Sequence, residues 1–79
     1  MADFTLHIPR LSVAVSEATL LDLLVAEGDH VEEGEPLYLV ETEKVETEVP
    51  AGATGTVHWT GVTGTTYPIG AEIGSIRRP

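Results

Sequence analysis

The chain has 79 residues, no cysteine and a formal net charge of −9, with 13 acidic residues against four lysines and arginines. This length predicts one small domain, and the lack of cysteine excludes disulfides, zinc–thiolate sites and cysteine nucleophiles. So few basic residues argue against binding to nucleic acid or to anionic membranes. The start, MADFTLHIPR, lacks the plan of a signal peptide, and Asp22 interrupts the longest apolar run, so no transmembrane span is predicted.

The elements predicted along the chain are short β-strands separated by turns. The best helical candidate, 16–28, begins at a cap-like serine but is short, and its second half is predicted to be a strand. Strands are predicted over 4–8, 19–25, 37–42, 45–49, 55–60 and 72–77. Glycine, proline or aspartate marks the turns at 27–30, 32–36, 50–55, 61–64 and 68–74.

A weak internal repeat relates the two halves of the chain. A shift of 36 residues aligns Gly28 with Gly64, Val31 with Tyr67, Gly34 with Gly70, Leu37 with Ile73, and Val40 with Ile76. Two copies predict two similar half-domains related by a pseudo-twofold axis. They would close as an all-β fold, a flattened barrel or sandwich of two small antiparallel sheets. The same symmetry predicts that Lys44 and the chain termini lie at opposite ends of the molecule.

Lys44 is the only lysine of the chain, within the acidic stretch ETEKVETEVP at 41–50. The flanking strands alternate in polarity and predict a hairpin, with Val45, Thr47 and Val49 on one face. Its tight turn falls at Glu43 and Lys44, and the absence of Asn-Gly or Asp-Gly favours a type I turn. Charge alone indicates an exposed cation that offsets repulsion among glutamates. The position of the only lysine at the apex favours a functional role.

These features resemble the lipoyl domains of the 2-oxo acid dehydrogenase complexes. The resemblance extends from residue 8 to residue 76, and its motifs are GDHV at 28–31, Gly34, Leu37, VETEKV at 40–45, EVPA at 48–51 and GTV at 55–57. It implies that Lys44 carries lipoic acid in amide linkage, with Glu41 and Gly55 recognised by the lipoylating enzyme. The aspartate and alanine that usually flank the lysine are Glu43 and Val45 here, so these two residues are candidates for tuning recognition.

The resemblance also implies a set of partners for a domain that is itself non-catalytic and spans 1–79, with a linker beginning at 77–79. They are a lipoyl ligase or octanoyltransferase, a thiamin-dependent 2-oxo acid decarboxylase, an acyltransferase core and dihydrolipoamide dehydrogenase. The loop at 12–18 is implied to lie near the hairpin and to help determine which 2-oxo acid dehydrogenase responds. The expected location is the bacterial cytoplasm or the mitochondrial matrix.

Three alternatives remain open beside the lipoyl carrier. A biotin carrier shares the fold, but methionines flank its lysine, whereas Glu43 and Val45 flank Lys44 here. An unmodified interaction module of the same fold is disfavoured because Lys44, Glu41 and Gly55 are all retained. The lipoyl carrier of glycine cleavage has a longer chain with extra helices.

The remaining polar and aromatic residues are interpreted as structural. His7, His30 and His58 are too far apart in sequence for a local metal-binding pattern and are predicted to be surface residues. Trp59 is predicted to pack in or against the core. The scattered serines have no recognisable triad partners, and the glycines match no phosphate-binding fingerprint.

Overall fold

The computed structural model describes residues 3–10 and 14–78, which form eight β-strands. The strands are β1 (Phe4–His7), β2 (Glu17–Leu23), β3 (His30–Val31), β4 (Pro36–Glu41), β5 (Glu46–Pro50), β6 (Gly55–Trp59), β7 (Thr66–Pro68) and β8 (Glu72–Arg77). Every strand predicted from the sequence is present, and no predicted end is displaced by more than two residues. The two strands that the sequence did not predict are β3 and β7, which are too short to show alternation. No helix long and apolar enough to cross a membrane occurs within these two described ranges.

The strands form two four-stranded antiparallel sheets, in the orders β1-β8-β6-β3 and β5-β4-β2-β7. The 36-residue repeat carries β3 onto β7 and β4 onto β8. If β1 is also taken as equivalent to β5, and β6 as equivalent to β2, then every strand in the first order has its equivalent at the same place in the second order. The flattened sandwich with pseudo-twofold symmetry is therefore confirmed, and each sheet takes strands from both halves of the chain.

The repeated glycines form turns, and each of these turns makes a hydrogen bond to the other half of the chain. Within the described residues, positive φ occurs only at glycine: 85° at Gly28, 91° at Gly34, 85° at Gly64 and 89° at Gly70. Side chains disfavour this region of φ, so glycine is needed there. Their N–H groups donate to carbonyl oxygens elsewhere in the fold: Gly28 to Val57, Gly34 to Ala51, Gly64 to Leu20 and Gly70 to Ile8.

The core lies between the sheets and is almost entirely aliphatic. Its buried members are Leu6, Ile8, Ala18, Leu20, Val31, Leu37, Tyr38, Val40, Ala51, Val57, Ile73 and Ile76. The Tyr38 hydroxyl donates to the His7 carbonyl oxygen at 2.6 Å, and burial raises the pKa of Tyr38 to about 12. The half-buried Trp59 meets Tyr38 edge to face at 5.7 Å between ring centroids, which confirms its predicted packing role.

The path of β2 shows how the two ends of the molecule are arranged. It begins beside the β4–β5 turn, where Thr19 pairs with Glu41, and runs away from that turn. The chain then reaches Gly28, which donates to the carbonyl oxygen of Val57 in β6. Arg77, near the end of the chain, pairs with the neighbouring residue of β6. Arg77 therefore lies beyond the end of β2 that is remote from the β4–β5 turn. This agrees with the prediction that Lys44 and the chain termini lie at opposite ends of the molecule.

Candidate functional site

The segment 42–45 joins β4 to β5 and is fixed by three hydrogen bonds. The N–H of Thr42 donates to the carbonyl oxygen of Val45 at 2.8 Å. The N–H groups of Lys44 and Val45 both donate to Thr42 Oγ1, at 3.3 Å each. Because no described residue other than glycine has positive φ, the turn is not of the primed types, as the sequence indicated. We call residues 42–45 the hairpin tip.

Lys44 is exposed at the apex of the hairpin tip. Within the ranges 3–10 and 14–78, none of the ion pairs or side-chain hydrogen bonds involves its ammonium group. The backbone N–H of Lys44 is held by Thr42, while the side chain is open to solvent. The structure therefore presents the only lysine as an accessible amine on a fixed backbone.

Acidic side chains lie in the tip and on both strands beside it. Glu41 and Glu46 are directly opposite each other, and Glu43 and Glu48 are exposed. Like charges directly across an antiparallel pair repel, so this arrangement does not stabilise the hairpin. It gives the surface around Lys44 a negative potential that a basic partner surface would complement.

The alternation of exposed and half-buried side chains predicted for β5 is present within the strand, but it does not extend back to Val45. Thr47 and Val49 are half-buried, while Glu46 and Glu48 are exposed. Val45 was predicted to lie in this strand, on one face with Thr47 and Val49, and this is wrong: Val45 lies before β5 and is 50% exposed. The reason is that β5 begins at Glu46, so Val45 belongs to the turn and its side chain is not directed by the pleat.

A groove of about 470 Å³ adjoins the tip and is lined by 14–19, 41–43 and Thr66. The loop at 12–18 was predicted to lie near the hairpin, and residues 14–18 confirm this; residues 12 and 13 lie outside the described ranges. Glu17, Glu41 and Glu43 all line the groove, so its polar wall is acidic.

The predicted recognition residues divide into two groups in space. Glu41, Glu43 and Val45 lie at or beside the hairpin tip. Gly55 is buried in β6 of the other sheet, where it pairs with Val31. A methyl group on Gly55 would collide with the carbonyl oxygen of Arg77, so close packing alone requires glycine at this position.

Thr42 is the residue of the site that the sequence interpretation overlooked. Its hydroxyl accepts two of the backbone N–H groups of the tip. Threonine can close a turn through its side chain, and its place just before the Glu43–Lys44 turn was the available signal.

The histidines are all exposed, as predicted. His30 Nε2 lies 2.6 Å from Glu32 Oε2, and His58 Nδ1 lies 2.7 Å from Glu27 Oε2. The described residues contain no cluster of three or more side chains able to hold a metal ion.

The sequence has relatives among the acyltransferases of three complexes. The profile of the biotin/lipoyl family, described as biotin-requiring enzyme, matches residues 5–76. The dihydrolipoyllysine-residue acetyltransferase component of the pyruvate dehydrogenase complex of Mycobacterium tuberculosis is 46% identical over 52 residues, 66% of this chain and 9% of that protein. The lipoamide acyltransferase component of the branched-chain α-keto acid dehydrogenase complex of Bacillus subtilis is 39% identical over 74 residues, 92% of this chain and 18% of that protein. The succinyltransferase component of the 2-oxoglutarate dehydrogenase complex of the same bacterium is 36% identical over 72 residues, 90% of this chain and 17% of that protein.

The chain spans between 9% and 18% of the length of these curated relatives. The family match includes all but the outermost residues of the two sheets and the whole hairpin tip with Lys44. On this evidence the chain belongs to the biotin/lipoyl attachment family, and it is a lipoyl-type domain similar to those of the acyltransferase components of 2-oxo acid dehydrogenase complexes.

Proposed function

We propose that this chain is a lipoyl carrier domain in which Lys44 forms an amide with lipoic acid. The observation that carries the proposal is the exposed Lys44 amine at the apex of a fixed hairpin, in a chain with no other lysine. The relatives named above are lipoamide or dihydrolipoyllysine acyltransferases, which supports lipoate as the attached group.

The hairpin tip fits a long covalent substituent because Lys44 extends into solvent and needs no rearrangement to react. In the attachment step, the neutral Nζ attacks the activated carboxyl carbon of lipoate. A C–N bond forms, the activating group leaves, and Nζ loses a proton. The resulting amide is uncharged, so the domain becomes one unit more negative.

When bound, the lipoyl group supplies a dithiolane that carries acyl groups and reducing equivalents. The chain supplies no catalytic residue in this proposal; it holds Lys44 at the apex of a hydrogen-bonded turn and surrounds it with recognisable surface. Tethering makes each transfer effectively intramolecular, with effective concentrations in the millimolar range. The partners would be a lipoyl ligase or octanoyltransferase, the thiamin-dependent decarboxylase, the acyltransferase core and dihydrolipoamide dehydrogenase, in the bacterial cytoplasm or the mitochondrial matrix.

The recognition roles of Glu41, Glu43, Val45 and Gly55 stay predictions. The first three lie where an enzyme that approaches Lys44 would touch them. Gly55 would act indirectly, through the packing of β6 against β8.

A biotin carrier is the second candidate, because the family includes biotin-requiring enzymes. The residues that flank Lys44 favour lipoate: they are Glu43 and Val45, and the only methionine of the chain is Met1. An unmodified interaction module would need no exposed lysine at the apex.

Intact mass spectrometry after incubation with a lipoyl ligase, lipoate and ATP tests the proposal. The unchanged chain is expected to gain the mass of one lipoyl group, located on Lys44 by peptide mapping. Lys44→Arg is the matched control: it keeps the positive charge but lacks a primary amine, and it should fold and gain no mass. A gain only with a biotin ligase and biotin, or no gain with either enzyme, would show that the domain is not a lipoyl carrier.

A further inference from the structure

The hairpin tip is built around one side chain, that of Thr42. Its hydroxyl accepts the N–H groups of Lys44 and Val45, while its own N–H donates to the Val45 carbonyl oxygen. Three hydrogen bonds of the tip therefore involve one residue, and two of them depend on its hydroxyl. Lys44 is connected to this arrangement through its backbone N–H.

Other sources of order at the tip are weak. The segment 42–45 contains no glycine, proline, asparagine or aspartate, the residues that usually favour tight turns. Glu41 and Glu46 face each other just below it, and their repulsion tends to separate the strands. Without the Thr42 hydroxyl, a single backbone hydrogen bond from Thr42 to Val45 would close the tip.

From this geometry we infer that Thr42 is a positioning residue for the modification of Lys44: its hydroxyl orders the tip so that the modifying enzyme meets a preformed turn. The inference depends on the proposed function. An ordered tip binds with a smaller loss of conformational entropy than a mobile one. Loss of the hydroxyl should therefore raise KM for the domain and leave kcat nearly unchanged.

Three variants test the role of the hydroxyl. Thr42→Val keeps the shape and the β-branch but removes the acceptor, and Thr42→Ser keeps the acceptor. Thr54→Val is the matched control, because Thr54 Oγ1 accepts the N–H of Glu33 at 3.0 Å in a loop away from the tip. Thr54 is half-buried, as is Thr42.

The first measurement is the steady-state rate of lipoylation by the ligase at several domain concentrations. For Thr42→Val, kcat/KM is expected to fall about fivefold through KM, because the variant loses the two long hydrogen bonds that the hydroxyl accepts. Thr42→Ser and Thr54→Val should remain within about twofold of the unchanged chain. If removal of a threonine hydroxyl acted only by destabilising the whole domain, the rates of lipoylation of the Thr42→Val and Thr54→Val variants would fall alike.

The second measurement is independent of lipoylation. Backbone ¹⁵N order parameters of unmodified domains should decrease at Lys44 and Val45 in Thr42→Val and stay unchanged there in Thr54→Val. Unchanged order parameters together with unchanged kcat/KM in Thr42→Val would overturn the inference while leaving the carrier function intact. If the unchanged chain were not lipoylated at all, the carrier function would fail, and the order parameters alone would decide whether the hydroxyl orders the tip.

Discussion

The two sheets contain equivalent strands, but they differ in how one pair of neighbouring strands is connected. In the second sheet, β4 continues into β5 through the hairpin tip. In the first sheet, the equivalent strands β8 and β1 pair near Arg77 and Phe4 but are not joined by a turn. The repeated positions form the turns and the core, whereas the tip with Lys44 has no counterpart in the repeat. The comparison teaches that the symmetry of this chain accounts for its fold, while the departure from symmetry locates its candidate site.

Gly55 and Ala18 extend the comparison to the packing of the strands. Gly55 pairs with Val31 in one sheet as Ala18 pairs with Tyr67 in the other, and both residues are buried. The two positions are equivalent, yet only the second sheet accommodates a methyl group. At Gly55 a methyl group would collide with the Arg77 carbonyl oxygen, so the backbone of β8 leaves no room for a side chain on β6 at this position.

Gly55→Ala is therefore expected to have the largest effect on stability. The clash involves backbone that cannot rotate away, so the free energy of unfolding should fall by about 3 kcal/mol, the upper part of the range for overpacked cores. Urea unfolding followed by circular dichroism measures this loss. Ala18→Gly is the converse change and should cost about 1.5 kcal/mol, through one lost methyl group and added backbone freedom. Equal stability of Gly55→Ala and the unchanged chain would contradict the close approach of β6 and β8.

Substitutions at Gly28 and Gly64 test the pseudo-twofold symmetry at two equivalent turns that have the same backbone angle φ. Both have φ of 85°, and a methyl group at either position would meet no atom within 4 Å. Alanine there should cost only backbone strain, about 1–2 kcal/mol at each position. We expect Gly28→Ala and Gly64→Ala to lower the urea midpoint equally and the double variant to show the sum of the two effects. A large difference between the single variants would mean that the two turns are not equivalent.

The repeat, the longer strands and the hairpin with Lys44 could be predicted from short stretches of the sequence. The glycine spacing predicted the repeat because each of the four turns needs φ that side chains disfavour, and alternation predicted the longer strands. Lys44 at a hairpin apex followed from the two alternating segments on either side of it. These features depend on residue type and spacing alone.

The features that the sequence did not predict depend on contacts between distant segments or on local register. The strands β3 and β7 have only two and three residues, and they exist because β6 and β2 pair with them. The exposure of Val45 depends on where β5 begins, a difference of one residue. The two hydrogen bonds to Thr42 depend on the rotamer of its side chain, which no pattern of residue types specifies.

Glu27 gives the last prediction, of a smaller and pH-dependent effect. It lies in the loop between β2 and β3, and its Oε1 accepts the N–H of Trp59 at 2.7 Å, while its Oε2 lies 2.7 Å from His58 Nδ1. The equivalent loop between β6 and β7 has Thr63 at this position, and the Tyr67 hydroxyl accepts the N–H of Val62 instead. The first contact thus uses the carboxylate of Glu27, and the second uses the hydroxyl of Tyr67.

The Trp59 N–H and then His58 hold the pKa of Glu27 below its ordinary value of 4.5. A carboxyl group with a lower pKa in the folded state stabilises the fold above its unfolded pKa, and that stabilisation is lost as the pH falls through the folded value. Glu27→Gln should lower Tm at pH 7, and the difference from the unchanged chain should shrink below about pH 4.5. Glu32→Gln is the matched control at pH 7: it removes the exposed partner of His30, and such surface pairs contribute little. A Tm difference for Glu27→Gln that stayed constant from pH 7 to pH 3 would mean that its carboxylate charge does not hold the loop on β6.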